Sequence, residues 1–153
     1  MTIISNFDRR ICTRKNNRTV VVADDDSDNL ALIAFVLDKL KLEYYLASNG
    51  KAALDLVYEK KPHLALLDVG MPHLNGIEVN ILIKNDLFTN HISTIAITKL
   101  TELEHIKAID NAGFDDYAIE PFIVEDLENK IKRYTRDSRA TFSIIKESYF
   151  SEK

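Results

Sequence analysis

Short apolar runs recur along this chain at nearly even spacing, and stretches with helical periodicity separate them. The runs are Thr19–Ala23, Leu42–Ala47, His63–Leu67, Thr94–Ile97 and Tyr117–Ile119. Four of them lack polar/apolar alternation, which predicts strands covered on both faces. The run LEYYLA (Leu42–Ala47) is more amphipathic and is predicted at a sheet edge. Between the runs the apolar residues fall one helical turn apart. Ser27 is suited to cap a first helix whose inner face is Leu30, Ile33, Ala34, Leu37 and Leu40, and Asp26 is the other candidate cap. Asn49-Gly50 opens a second with Ala53, Leu54 and Val57, closed by Pro62. Leu74, Ile77 and Ile81 mark a third. Thr101 opens a fourth, with Leu103, Ile106 and Ile109, stopped near Gly113. The fifth follows Pro121 with Ile123, Leu127, Ile131 and Tyr134. A strand–helix order repeated five times predicts an α/β domain, a parallel sheet with helices on both faces.

Composition sharpens this without changing it. A chain of 153 residues with 46% apolar and 29% charged residues fits one soluble globular domain. Cys12 is the one cysteine, so no internal disulfide is possible, and a reducing, cytoplasmic setting is expected. No apolar h-region or run long enough to span a bilayer is expected to act as leader or anchor. The net charge of −4 hides an asymmetry, because residues 1–18 carry +4 and the remainder −8. Residues 1–17 are read as a basic extension, either a solvated terminus or a contact for an anionic partner. The acidic body argues against direct nucleic-acid binding. Residues 136–153 carry Phe142, Ile145 and Tyr149 at helical spacing, suited to extending the last helix, folding back, or packing on a partner such as a second copy.

The candidate chemistry sits at the ends of the apolar runs. Asp24, Asp25 and Asp26 follow the first, Asp68 the third, Thr98 the fourth and Glu120 the fifth. In an open parallel sheet, groups beyond the carboxyl ends of the strands gather on one edge. Carboxylates without Cys or His partners suit a hard cation such as Mg²⁺, and a nearby hydroxyl completes an oxygen cage for a phosphoryl group. The histidines His63, His73, His91 and His105 show no metal-site spacing. The four glycines form no phosphate-binding loop, and DVGMP (Asp68–Pro72) is not the Asp-x-Asp-x-Thr of an aspartyl phosphatase.

The stretches VVVADDDSDNL, LALLDVGMPHLNG, TIAIT and DDYAIEPF, in that order, resemble the receiver domain of bacterial two-component response regulators over roughly residues 18–135. The resemblance implies a flavodoxin-like (βα)5 doubly wound parallel sheet with strand order 2-1-3-4-5. It implies Asp68 as phosphoacceptor for phosphohistidine on a histidine kinase or phosphotransfer protein. Asp24, Asp25, Asp68 and the backbone of Gly70 are then the Mg²⁺ ligands, and Thr98 bonds the phosphoryl group. Tyr117 is the switch aromatic, and the bond Glu120–Pro121 is cis. A stand-alone receiver of this kind, not an enzyme in the ordinary sense, signals by contact with a downstream effector protein, through the face of the fourth helix, fifth strand and fifth helix.

Two positions depart from that family. Receivers carry lysine where this chain has Glu120, and a small residue where it has Lys99. At ~6 Å and an effective dielectric of about 20, each unit charge pair amounts to roughly 3 kcal/mol. Exchanging attraction for repulsion therefore costs on the order of 5 kcal/mol before screening. Lys99 either replaces the missing cation, pairs with Glu120, or points to solvent. The corresponding expectations are a phosphorylated receiver in which Lys99 restores the balance, or a pseudo-receiver that binds partners without phosphorylation.

Overall fold

The computed structural model describes residues 18–99 and 103–136. Each apolar run becomes a strand: β1 (Thr19–Ala23), β2 (Glu43–Ala47), β3 (Leu64–Asp68), β4 (Ser93–Thr98) and β5 (Asp116–Ile119). The helices between and after them are α1 (Ser27–Lys39), α2 (Gly50–Lys60), α3 (Gly76–Asn85), α4 (Leu103–Asn111) and α5 (Val124–Thr135). All strand pairs are parallel and the order is β2-β1-β3-β4-β5, as the resemblance implied. The amphipathic β2 lies at an edge.

Period-two alternation divides the core. Val21, Ala23, Ala65, Leu67 and Ala96 face Ala53 and Val57 of α2, Val79 and Ile83 of α3, and Ile109 of α4. Val20, Val22, Leu64, Leu66, Ile95 and Ile97 face Ile33, Val36 and Leu37 of α1, and Leu127 and Ile131 of α5. The three central strands are thus apolar on both faces because helices cover both.

Several local expectations are corrected. Asp26, rather than Ser27, caps α1, its side chain accepting the N–H groups of Asp28 and Asn29. Val36 takes the buried place expected of Ala34, which is only partly buried. In α3 the core face is Val79, Asn80 and Ile83; Ile81 is exposed, and Leu74 precedes the helix. Asn80 is tolerated there because its amide donates to the Ala112 carbonyl at 2.8 Å. Ile123 is the 67% exposed N-cap of α5 rather than part of its inner face. The expected start of the fourth helix at Thr101, the extension 1–17 and all but Arg136 of the extension 136–153 lie outside the described residues. Among the described residues no helix is long and apolar enough to cross a membrane.

Candidate functional site

The parallel register brings the ends of β1 and β3 side by side, with Ala23 opposite Leu67. The residues that follow each strand therefore meet. Asp24 is 1% exposed and anchored twice, Oδ1 accepting the Asp26 N–H at 2.9 Å and Oδ2 accepting from Asn29 Nδ2 at 3.1 Å. Asp25, next in the chain, is exposed. Asp68 ends β3, half-buried, and its Oδ1 accepts the Gly70 N–H at 2.8 Å. One carboxylate oxygen from each of Asp24, Asp25 and Asp68 lies within 4.8 Å of the others.

Two glycines let the β3–α3 loop reach this position. A Cβ on Gly76, the first residue of α3, would stand 2.4 Å from the Asp68 carbonyl oxygen. One on Gly50, at the start of α2, would stand 2.0 Å from the Leu74 carbonyl oxygen. Helix α3 begins against the Asp68 backbone, held by a capping box between Asn75 and Glu78.

The three carboxylates fit a hard divalent cation on chemical grounds. Burial pushes the Asp68 carboxyl up to about 7; the Gly70 N–H opposes this, and the neighbouring Asp24 and Asp25 add to it. A cation relieves that repulsion, and an all-oxygen donor set suits Mg²⁺. Without metal, folded Asp68 retains a proton that the unfolded chain has released between pH ~4 and the folded value of about 7. The folded state binds more protons across that window, so stability falls as pH rises through it. Thermal melts in a chelator should show Tm declining from pH 4 to 7, and Asp68→Asn should flatten that decline.

The other predicted site residues surround this cluster. Thr98 ends β4 with 1% exposure, and its carbonyl accepts the Glu120 N–H at 2.8 Å. Tyr117 is partly buried, with Lys130 Nζ 5.6 Å from the centre of its ring. The Glu120–Pro121 bond is cis. The Glu120 side chain is 8% exposed, and its Oε2 lies 3.8 Å from Lys99 Nζ, itself 70% exposed. Of the three directions open to Lys99, pairing with Glu120 is the one observed. Glu120 does not join the Asp24–Asp25–Asp68 group.

Sequence reasoning missed Asn29. Its Nδ2 bridges Asp24 Oδ2 and Glu120 Oε1, the latter at 2.8 Å. The available signal was an amide in the first turn of α1, three residues beyond the capping Asp26. Beside the site, a cavity of about 290 Å³ opens between β5 and α5, lined by Tyr117, Ile119, Phe122, Ile123 and Lys130 among others.

A doubly wound (βα)5 sheet with three carboxylates at its carboxyl edge offers an all-oxygen donor set for a divalent cation. Comparison with known proteins identifies it further. Residues 20–132 match the family model "Response regulator receiver domain". The chain is 30% identical over 121 residues to the polar-differentiation response regulator DivK of Brucella anthropi, covering 79% of this chain and 98% of that one. It is 32% identical over 124 residues to histidine kinase P4 of Formosa agariphila, covering 80% of this chain but 9% of that much longer protein. The receiver domain of a sensor histidine kinase from Pseudomonas aeruginosa, solved with a magnesium ion in its active-site cleft, superposes with a TM-score of 0.72. That match is at 21% identity, over 78% of this chain and 98% of the other. This chain belongs to the response regulator receiver domain family.

Proposed function

We propose that this protein accepts a phosphoryl group on Asp68 from phosphohistidine of a histidine kinase or phosphotransfer protein, and passes the signal on by protein–protein contact. The observation that carries this reading is the convergence of Asp24, Asp25 and Asp68 within 4.8 Å at the sheet edge. Asp25 and Asp68 would hold Mg²⁺ directly, with Asp24 beside them and the Gly70 carbonyl as backbone ligand. Mg²⁺ supplies positive charge that offsets the phosphoryl oxygens. Asp68 provides the attacking oxygen: the phosphorus–nitrogen bond of phosphohistidine breaks as the acyl phosphate forms, and the imidazole nitrogen keeps the bond's electron pair. The Gly70 N–H fixes the Asp68 carboxylate through Oδ1.

Thr98 and Tyr117 form the readout. The Thr98 hydroxyl bonds the phosphoryl group, and Tyr117 follows its movement. Tyr117 lines the cavity between β5 and α5, whose exposed Ile119 and Ile123 give an effector an apolar surface. The protein works in the cytoplasm on protein partners, without nucleic acid or membrane contact. Residues 18–135 form the receiver, and the two extensions, together with self-association, adjust its partner contacts.

Incubation with Mg²⁺ and a small phosphodonor should label Asp68; no acyl phosphate with any donor would instead favour a pseudo-receiver. Lys99 offsets part of the Glu120 charge by pairing with it. Because its pair with Glu120 is long and its ammonium exposed, Lys99→Ala should slow labelling only about threefold, equivalent to roughly 0.6 kcal/mol. An unchanged rate would remove Lys99 from the mechanism.

A further inference from the structure

Glu120 poses a problem that Lys99 does not solve alone. Its side chain is 8% exposed, and Asp24, also buried, shares the same amide donor. Two buried carboxylates this close repel unless hydrogen-bond donors hold them. Lys99 reaches the outer oxygen of Glu120 at 3.8 Å and is mostly solvated. The inner oxygen, Oε1, is held by Asn29 at 2.8 Å. Asn29 is itself fixed, because it lies in the first turn of α1 and its backbone N–H reaches the capping Asp26 at 3.4 Å. Its two amide hydrogens thus point at carboxylates from two different strand ends.

We infer that Asn29 is a positioning residue that clamps Glu120 against α1, keeping its charge off the phosphoryl side of Asp68 and allowing an acid to occupy a lysine position. The inference rests on the phosphoacceptor reading and names the device that makes this site work with Glu120. The clamp acts chiefly on the placement of the Glu120 charge, although Asn29 also donates to Asp24 Oδ2 at 3.1 Å. Asp24 keeps its Asp26 N–H when Asn29 is removed, and Asp25 and Asp68 do not bond Asn29. Freed, the Glu120 carboxylate turns toward the cation and the incoming phosphoryl group. It then attracts the first and repels the second.

This predicts a split that general loosening of the site does not produce. Asn29→Ala should tighten Mg²⁺ binding about threefold by calorimetry while slowing acyl-phosphate formation at saturating Mg²⁺ about tenfold. In a Glu120→Gln background both effects of Asn29→Ala should shrink to within about twofold, because no charge remains to be released. Weaker Mg²⁺ binding together with slower labelling, by similar factors in both backgrounds, would assign Asn29 a purely structural role and overturn the inference. So would unchanged values for both quantities. If the wild-type protein accepts no phosphoryl group from any donor, the phosphoacceptor reading fails. The Mg²⁺ measurements still decide the clamp, since tightening that depends on Glu120 supports it and its absence refutes it.

Discussion

Asp68→Asn should abolish acyl-phosphate formation and weaken Mg²⁺ binding about tenfold or more, the largest functional loss of any single substitution at the site. The amide is nearly isosteric and can still accept the Gly70 N–H that now bonds Oδ1 at 2.8 Å. The fold is therefore retained. What disappears is a nucleophilic oxygen and one negative charge from a group of three. Neither neighbour can substitute. Asp24 is 1% exposed with both oxygens engaged, and Asp25 leads out of β1 rather than ending β3. Removing a charge from a crowded carboxylate group also relieves repulsion, so metal-free Asp68→Asn should be more stable than wild type at pH 7. Phosphodonor labelling followed by intact-mass measurement, with chemical melts in parallel, separates lost chemistry from lost structure.

Gly76→Ala should produce a large loss of stability. The added Cβ falls 2.4 Å from the Asp68 carbonyl oxygen and 3.1 Å from that of Leu67, both backbone atoms of a central strand. Neither can yield without moving the strand end, so α3 must shift away. Overpacking of this kind costs about 1–3 kcal/mol, and alanine's better helix propensity recovers at most ~1 of it. For a domain of this size a net loss of about 2 kcal/mol lowers Tm by roughly 6–12 °C. Because the clashing atoms belong to Asp68, labelling should fall along with stability. Gly70→Ala is the internal comparison. Its Cβ would meet only the Asp68 Oδ1 at 3.4 Å, so the change in stability should stay below about 1 kcal/mol. Equal losses for the two alanines in scanning calorimetry would show that steric contact with the Asp68 backbone is not what fixes glycine at position 76.

The strand–helix order was legible because the central strands are apolar on both faces, leaving continuous runs that tolerate small errors of boundary. The errors that did occur share a cause. Pairing, not apolarity, sets where a strand ends: Ser93 and Asp116 enter β4 and β5 opposite Leu64 and Ile95, although neither is apolar. Helix α3 was read out of phase because Leu74 belongs to the loop, while Asn80, buried through one side-chain bond, occupies a core position that polarity hides. Ile123 looked like the start of an inner face but sits where α5 is capped, pointing outward. Among the site residues, Asp24, Asp25 and Asp68 were legible because each directly follows or ends an apolar run. Asn29 was not, since its meaning comes from Glu120, 91 positions later in the chain and adjacent only after folding.

The departure from the family pattern is now a physical arrangement rather than a missing lysine. The Glu120 side chain is 8% exposed, bonded by an amide that it shares with Asp24 and approached by an ammonium on its other oxygen. Part of the repulsion expected from the sequence is thereby offset locally. In the proposed function, the energetic demand that remains would fall on a divalent cation, set against Asp24, Asp25, Asp68 and the arriving phosphoryl group together.

That demand is read directly by the Mg²⁺ dependence of Asp68 phosphorylation in the wild-type protein. The chain is incubated with a small phosphodonor over a Mg²⁺ series, and the acyl phosphate is located by tandem mass spectrometry. A single adduct on Asp68 that rises with Mg²⁺, saturates, and vanishes in excess chelator is the predicted result. An adduct on another residue, or one on Asp68 that forms equally well without divalent cation, would contradict the account.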